Sequence, residues 1–202
     1  MHIVTGERTA TLCEGERRFD DAARFTSQGF CPPATSPGDW LAGQIESVVR
    51  AAECEDDIAR PLHVAAPAPA LIDPAARGAC LDALHRVRGC APEITLEFDD
   101  WVLGAQRRDL VFGLSRYKSV GFRISVNATA SWQMRSSEAV RLLIDSVRVS
   151  APALFADSEL AARCHEIALE GTDIIADQPR WRDAAALGDL GVLYASRPLA
   201  DA

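Results

Sequence analysis

The sequence predicts an α/β fold built on a parallel sheet, and three observations carry that prediction. From Pro61 onward, short runs of strand type alternate with longer segments of helical spacing. The chain has 202 residues, 48% of them hydrophobic, enough for one domain with a real core. No run reaches the ~18–20 apolar residues of a membrane-spanning helix. Strand–helix alternation implies right-handed crossovers and a parallel sheet, either open or closed into a barrel. A (β/α)8 barrel takes ~250 residues, with about 200 near its lower limit, so a barrel here is shortened or irregular.

Residues 1–60 are the least regular. Gly, Pro, Ser and charged residues interrupt every apolar run, as in GFCPPATSPGDW at 29–40, and a long loop is expected there. Within it, DWLAGQIESVVRAAE spaces Leu41, Ile45, Val48 and Val49 as a helix, followed by the acidic run Glu53, Glu55, Asp56 and Asp57, a solvated helix end. PLHVAA reads as a short strand. DPAARGACLDALHRVRG begins with an Asp-Pro helix signal and ends at Gly89. EITLEF is a strand, RRDLVFGLSRYKSVG a helix through Leu110, Val111, Leu114 and Tyr117, and FRISVN a strand. A Ser-capped helix SSEAVRLLI, the strand DSVRVS, the helix DSELAARCHEIALEG, the strand TDIIAD, the helix WRDAAALGDLG and the strand VLYASRP complete the pattern.

Composition narrows the function classes. Lys+Arg 21 against Asp+Glu 29 gives a net charge of −8, which argues against nucleic acid or an anionic membrane surface as a partner. The N-terminus MHIVTGERTATLCEGERR lacks the apolar core of a signal peptide, so the expected location is cytoplasmic. Cys13, Cys31, Cys54, Cys80, Cys90 and Cys164 are scattered without a C-x-x-C pair, and read as reduced, mostly buried thiols rather than zinc ligands. His63, His85 and His165 read as structural histidines. Cys164 and His165 point ~100° apart on a helix and form no nucleophile pair. Ser115, Ser125 and Ser131 lack G-x-S-x-G context, and no Gly-rich phosphate loop is present. Asp99 and Asp100 stand at a strand end, where barrel enzymes place chemistry, although a helix N-cap explains them equally well.

The order of segments also resembles a known bacterial family, the EAL-domain cyclic-di-GMP phosphodiesterases, best over residues 62–199 and weakly over 1–60. The strand ITLEFDD (94–100) is similar to the family's LExTE strand end, GFRISVNATASW (121–132) to GxRIAxDDFGTG, and DSVRVS (145–150) to xDxLKID. The separation from Asn127 to Asp145 matches the family without a gap. DIIADQPRW (173–181) resembles the AEGVE strand end, and ALGDLGVLYASRPLA (186–200) the LGxxxxQGYxxxxPL terminus with about two residues missing. TGERTATLCEGERRF (5–19) resembles a damaged TGxxxGxEALLRW, with Glu14 at the EAL glutamate and Arg18 at the arginine. The resemblance implies one domain over 1–202, a TIM-like (β/α)8 EAL barrel that is shortened or irregular in its N-terminal part.

The family's reaction is metal-assisted phosphodiester hydrolysis, in which divalent cations bind the phosphate and supply hydroxide. Such hard cations need several oxygen ligands, mainly carboxylates. Carried over by position, the former active site comprises Glu14, Ala65, Glu97, Asn127, Ala128, Arg148, Asp177 and Gly191. Glu97 is kept, but the family's asparagine falls on Ala65, its two DDFG aspartates on Asn127 and Ala128, its lysine on Arg148, its AEGVE glutamate on Asp177 and its glutamine on Gly191. Arginine does not deprotonate in proteins and cannot transfer the proton.

The resemblance therefore implies a degenerate member with no metal and no cofactor. It would act as a regulatory protein through a protein partner, in signalling that controls motility, attachment or the cell cycle. The alternative is a cyclic-di-GMP receptor or a weak phosphodiesterase working through Glu14, Glu97, Asp177 and Asp99 or Asp100, with Arg18 and Arg148 meeting phosphates. Trp132, Met134 and Arg135 replace the family's acidic loop, and these residue types are enriched in protein interfaces, so 129–135 is the expected partner surface; equally, Trp132 could fill the emptied site.

Overall fold

Among the described residues seven strands, all parallel, follow one another around a single sheet in the order of the sequence. A computed structural model describes residues 1–13, 36–54, 58–104, 109–130 and 137–196. The strands are β1 (Thr11–Cys13), β2 (Leu62–Ala65), β3 (Ile94–Asp99), β4 (Arg123–Ala128), β5 (Ser146–Ser150), β6 (Asp173–Asp177) and β7 (Tyr194–Ser196). The helices are α1 (Pro37–Glu53), α2 (Pro69–Ile72), α3 (Pro74–Leu84), α4 (Asp100–Gly104), α5 (Leu110–Val120), α6 (Glu138–Arg141), α7 (Ala151–Ala156), α8 (Ser158–Leu169) and α9 (Ala184–Asp189), with 3-10 segments at His85–Glu93 and Trp181–Asp183.

The sheet is a nearly closed barrel, and its eighth stave runs the other way. Residues 1–3 lie antiparallel on β7: the Ala195 N–H donates to the Met1 carbonyl at 2.8 Å, and the Ile3 N–H to Leu193 at 2.8 Å. The chain then turns at Gly6, whose φ of 69° suits glycine. The His2 N–H donates to the Glu7 carbonyl at 2.8 Å, and the returning chain enters β1. The sequence thus predicts the barrel correctly, with an irregular N-terminal part. The long loop expected over 1–60 is corrected: it contributes the first parallel strand, hidden from pattern reading because Thr11–Cys13 is too short to show alternation.

Local chemistry sets the helix starts. Asp73 accepts from the Ala75 N–H ahead of Pro74, Ser36 from Asp39 ahead of Pro37, and Asp157 from both Glu159 and Leu160. Gly121, with φ 113°, closes α5. Two expected helices differ. The one read to Gly89 is α-helical only to Leu84 and continues as a 3-10 segment to Glu93, where Pro92 has no N–H to donate. The one over 136–144 keeps only Glu138–Arg141, and the Ser137 hydroxyl makes no capping bond.

Strand alternation sorts side chains to two faces. Ile94, Leu96 and Phe98 of β3, Ile124 and Val126 of β4, and Val147 and Val149 of β5 face the helices and are fully buried. Phe98 meets Tyr117 of α5 with ring centroids 6.1 Å apart. Each such side chain contributes roughly 1.5–3 kcal/mol on burial. The intervening residues line the barrel, and they are polar. His63, Thr95, Glu97, Ser125, Asn127, Ser146 and Arg148 are all buried there.

Candidate functional site

The register gathers the retained acidic residue and its neighbours in the barrel interior. Glu97 on β3 lies level with Ala65 on β2 and Ser125 on β4, and Arg148 on β5 lies level with Asn127. From there the Arg148 guanidinium crosses behind β4 to clasp Glu97, a residue 51 positions away in sequence. Its Nη2 donates to Oε1 at 2.7 Å and its Nε to Oε2 at 3.2 Å. Its Nη1 reaches Asp177 Oδ1, at the end of β6, at a longer 3.5 Å. Glu97 is 3% exposed and Arg148 5%, so this two-pronged pair is sealed from solvent.

His63, one strand over on β2, has Nδ1 4.0 Å from Glu97 Oε2. Burial first, and then the cationic guanidiniums of Arg148 and Arg123, push its pKa down to about 4, so it is neutral and adds no charge to the pair. The centre is accordingly two carboxylates around one fixed arginine cation. His63 was expected to be structural, and its place beside Glu97 was readable only from alternation: it stands two residues before Ala65 on the same face.

Asn127 is committed elsewhere. Its Nδ2 donates to Asp99 Oδ1 at 3.1 Å, and its Oδ1 accepts from the Thr129 N–H at 3.2 Å and the Thr129 hydroxyl at 2.7 Å. With the Thr129 N–H and hydroxyl both donating to Oδ1, the amide is oriented with its nitrogen toward Asp99. The one oxygen Asn127 could offer a cation is thereby turned away. Asp99 belongs to this rim network. Asp100 is corrected from an N-cap to the first residue of α4, and it is buried.

Other positions expected at the site separate from it. Ala128, level with the buried Val149, falls on the helix-facing side of β4. Gly191 is corrected: it sits in the turn between α9 and β7 with φ 79°, and a Cβ there would meet Ala168 and His165 of α8 rather than the barrel interior. It is a turn glycine. His85 and His165, read as structural, are both exposed, and His165 Nδ1 lies 3.3 Å from the Leu190 carbonyl. Cys164 is buried, with its thiol pushed up to about 12 by burial, while His165 faces outward, so the two form no nucleophile pair. Glu14, Arg18, Trp132, Met134 and Arg135 lie outside the described residues.

The described residues do not fit a divalent cation in this arrangement. Both Glu97 oxygens face the guanidinium, Asn127 Oδ1 faces Thr129, and Ala65 offers nothing. Among the described residues no three His, Cys, Asp or Glu side chains converge as a metal site. None of the described helices is long and apolar enough to cross a membrane.

No family model matches the chain, and no curated protein sequence matches it. Solved structures do. The chain is similar to PaMucR phosphodiesterase in its c-di-GMP complex, with TM-score 0.62, 16% identity, and coverage of 87% of this chain and 71% of that one. It is similar to Vibrio cholerae LapD S helix-GGDEF-EAL bound to c-di-GMP, with TM-score 0.61, 13% identity, and coverage of 81% of this chain and 42% of that one. A standalone EAL protein from Vibrio cholerae O395, bound to c-di-GMP, gives TM-score 0.51 and 18% identity over 78% of this chain and 69% of that one. With seven parallel strands in sequence order and an antiparallel closing stave, the chain has the barrel fold of EAL-domain structures.

Proposed function

We propose that this chain is a non-catalytic EAL-like regulatory protein of cyclic-di-GMP signalling that acts by contacting a protein partner. One observation carries the reading: the Arg148 guanidinium on β5 holds Glu97 of β3 past the intervening β4 and reaches toward Asp177, so the carboxylates a metal would need already have a permanent cation. An internal arginine neutralises them without exchange, supplies no bound water to ionise, and cannot take up a proton in return. With catalysis gone, the loops at the carboxyl ends of the strands are free to acquire other contacts, and the 129–135 segment with Trp132, Met134 and Arg135 is the first place to look.

A second reading, a cyclic-di-GMP receptor, draws on the retained Glu97 and the carboxylate of Asp177 at one centre and on an arginine beside them. Calorimetric titration of the purified chain with cyclic-di-GMP, with and without Mg2+ or Mn2+, alongside a hydrolysis assay on the same samples, separates the two. The expected outcome is neither turnover nor a metal-dependent heat. Metal-independent binding without turnover selects the receptor reading, and turnover in Mn2+ above a Glu97→Ala control overturns both.

A further inference from the structure

We infer that the barrel interior beside the Arg148–Glu97 pair is a binding site for ordered water, held by the hydroxyls of Thr95 and Ser125. The inference is independent of the proposed function and rests on the burial of these two groups. Thr95 is 1% exposed and Ser125 0%, and neither Thr95 Oγ1 nor Ser125 Oγ has a hydrogen-bond partner among the described residues. A hydroxyl sealed from solvent without a partner gives up the bonds it makes in water and regains none, so such groups mark places where ordered water completes the network.

The register puts the two hydroxyls near one another. Ser125 on β4 is level with Glu97 on β3, and Thr95 stands two residues before Glu97 on the same face, so Thr95 and Ser125 are diagonal neighbours in the interior. Ser146 of β5, level with Ser125, brings a third buried hydroxyl to that face, and the buried His63 of β2 is level with Thr95. Barrels of this kind usually fill such layers with branched aliphatic side chains. Serine at adjacent positions of β4 and β5 leaves room there on the order of one or two waters, at ~30 Å³ each.

The mix of donors and acceptors selects water over an ion. Each hydroxyl both donates and accepts, and so does the neutral imidazole of His63, with a proton on one nitrogen and a lone pair on the other. A cation takes acceptors only and an anion donors only, and the nearest charges, Glu97 and Arg148, are already paired at 2.7 and 3.2 Å. Water meets groups of both kinds, and ~2–4 polar partners hold one in place. Thr95, Ser125 and Ser146 supply that number.

The test is magnetic relaxation dispersion of the water oxygen on the full chain, which detects internal waters by their slow exchange with bulk, together with urea unfolding. Wild type is expected to show a dispersion, and Thr95→Val combined with Ser125→Ala to lose at least one long-lived water from it. Ser119→Ala, which removes an exposed hydroxyl bonded to the Arg116 carbonyl, is the control and should leave the dispersion as in wild type. Thr95→Val alone keeps the shape of the side chain and exchanges the hydroxyl for a methyl, so the sign of its effect is diagnostic. With water bound, the substitution strands a bond of that water and lowers the urea midpoint. With the hydroxyl unpaired, it removes a buried polar group without loss and raises the midpoint. A midpoint equal to or above that of wild type overturns the inference, as does a dispersion absent from wild type, unchanged in the double variant or reduced equally by Ser119→Ala.

Discussion

On the helix-facing side of the sheet, Ile94, Leu96, Phe98, Ile124, Val126, Val147 and Val149 form a dry layer. One residue along the same strands, the barrel side carries Thr95, Glu97, Ser125, Asn127, Ser146 and Arg148. Barrels of this kind usually fill the interior with layers of branched aliphatic residues. On β3, β4 and β5 the apolar side chains are confined to the outer face, and the inner face carries the Arg148–Glu97 ion pair, the Asn127 hydrogen bonds and two buried hydroxyls, of Thr95 and Ser125, with no hydrogen-bond partner among the described residues. Residues can therefore be exchanged on the inner face without moving the helices, and a functional centre can be rebuilt or closed inside an intact fold.

The largest expected effect breaks the outer face. Phe98→Ala removes a fully buried ring that packs on Tyr117, and unfolding in denaturant is expected to show a loss of about 4 kcal/mol. A loss under about 1 kcal/mol, the range of surface substitutions, would mean the outer face does not carry the fold.

That contrast also explains what was legible. β-branched runs such as EITLEF and FRISVN mark the outer face and can be read directly, and with them come the strand order and the barrel. The interior was legible residue by residue but not as an arrangement. Glu97, Arg148 and Asp177 were each singled out, yet Arg148 was read as a phosphate contact and its pairing with Glu97 was missed, because side chains 51 residues apart meet only through barrel curvature. Gly191 was misplaced because an alignment with missing residues slides freely across a turn. His63 reads as structural without its place beside Glu97, because a histidine among apolar neighbours looks the same in sequence whether it faces helices or an ion pair.

Next in size is the pair itself. Glu97→Leu removes the two-pronged partner of the buried Arg148 cation and, among the described residues, leaves it the long contact to Asp177, and is expected to cost about 3 kcal/mol. Adding Arg148→Met should recover most of that loss, because replacing both ions by apolar groups of similar volume is often neutral. A double variant no more stable than Glu97→Leu would show that the interior depends on Arg148 for more than charge balance.

His63 sharpens the comparison through pH. Its folded pKa of about 4 lies below its ordinary 6.5, so between these values the unfolded chain takes up a proton that the folded chain refuses. The stability it supports is complete above about pH 6.5 and is lost as pH falls toward 4, by on the order of 2–3 kcal/mol. Comparing wild type with His63→Leu isolates this term from the carboxylates that also titrate near its lower end. Parallel stability–pH curves for the two proteins over this window would mean that His63 is hydrated rather than sealed beside Glu97.

The smallest effect lies at the rim, where the inner face nears solvent. Asn127 joins β4 to Asp99 of β3 and to Thr129 in the following turn through three hydrogen bonds, and it is 9% exposed. In Asn127→Ala the Thr129 N–H and hydroxyl lose their acceptor and Asp99 loses a donor. Each of these groups lies close enough to water to recover part of the loss, so a net cost of about 1 kcal/mol is expected rather than the sum of three bonds. Asn127→Asp provides the sharper test, because it sets a second carboxylate against Asp99 at the 3.1 Å of the present contact, and like charges so close do not both ionise without cost. Its stability should therefore rise relative to wild type as pH is lowered and one of the two carboxyls takes up a proton, the opposite trend to the His63 term. If Asn127→Asp instead matches wild type at every pH, Asp99 and residue 127 are not in contact, and the rim network is looser than the interior pair beneath it.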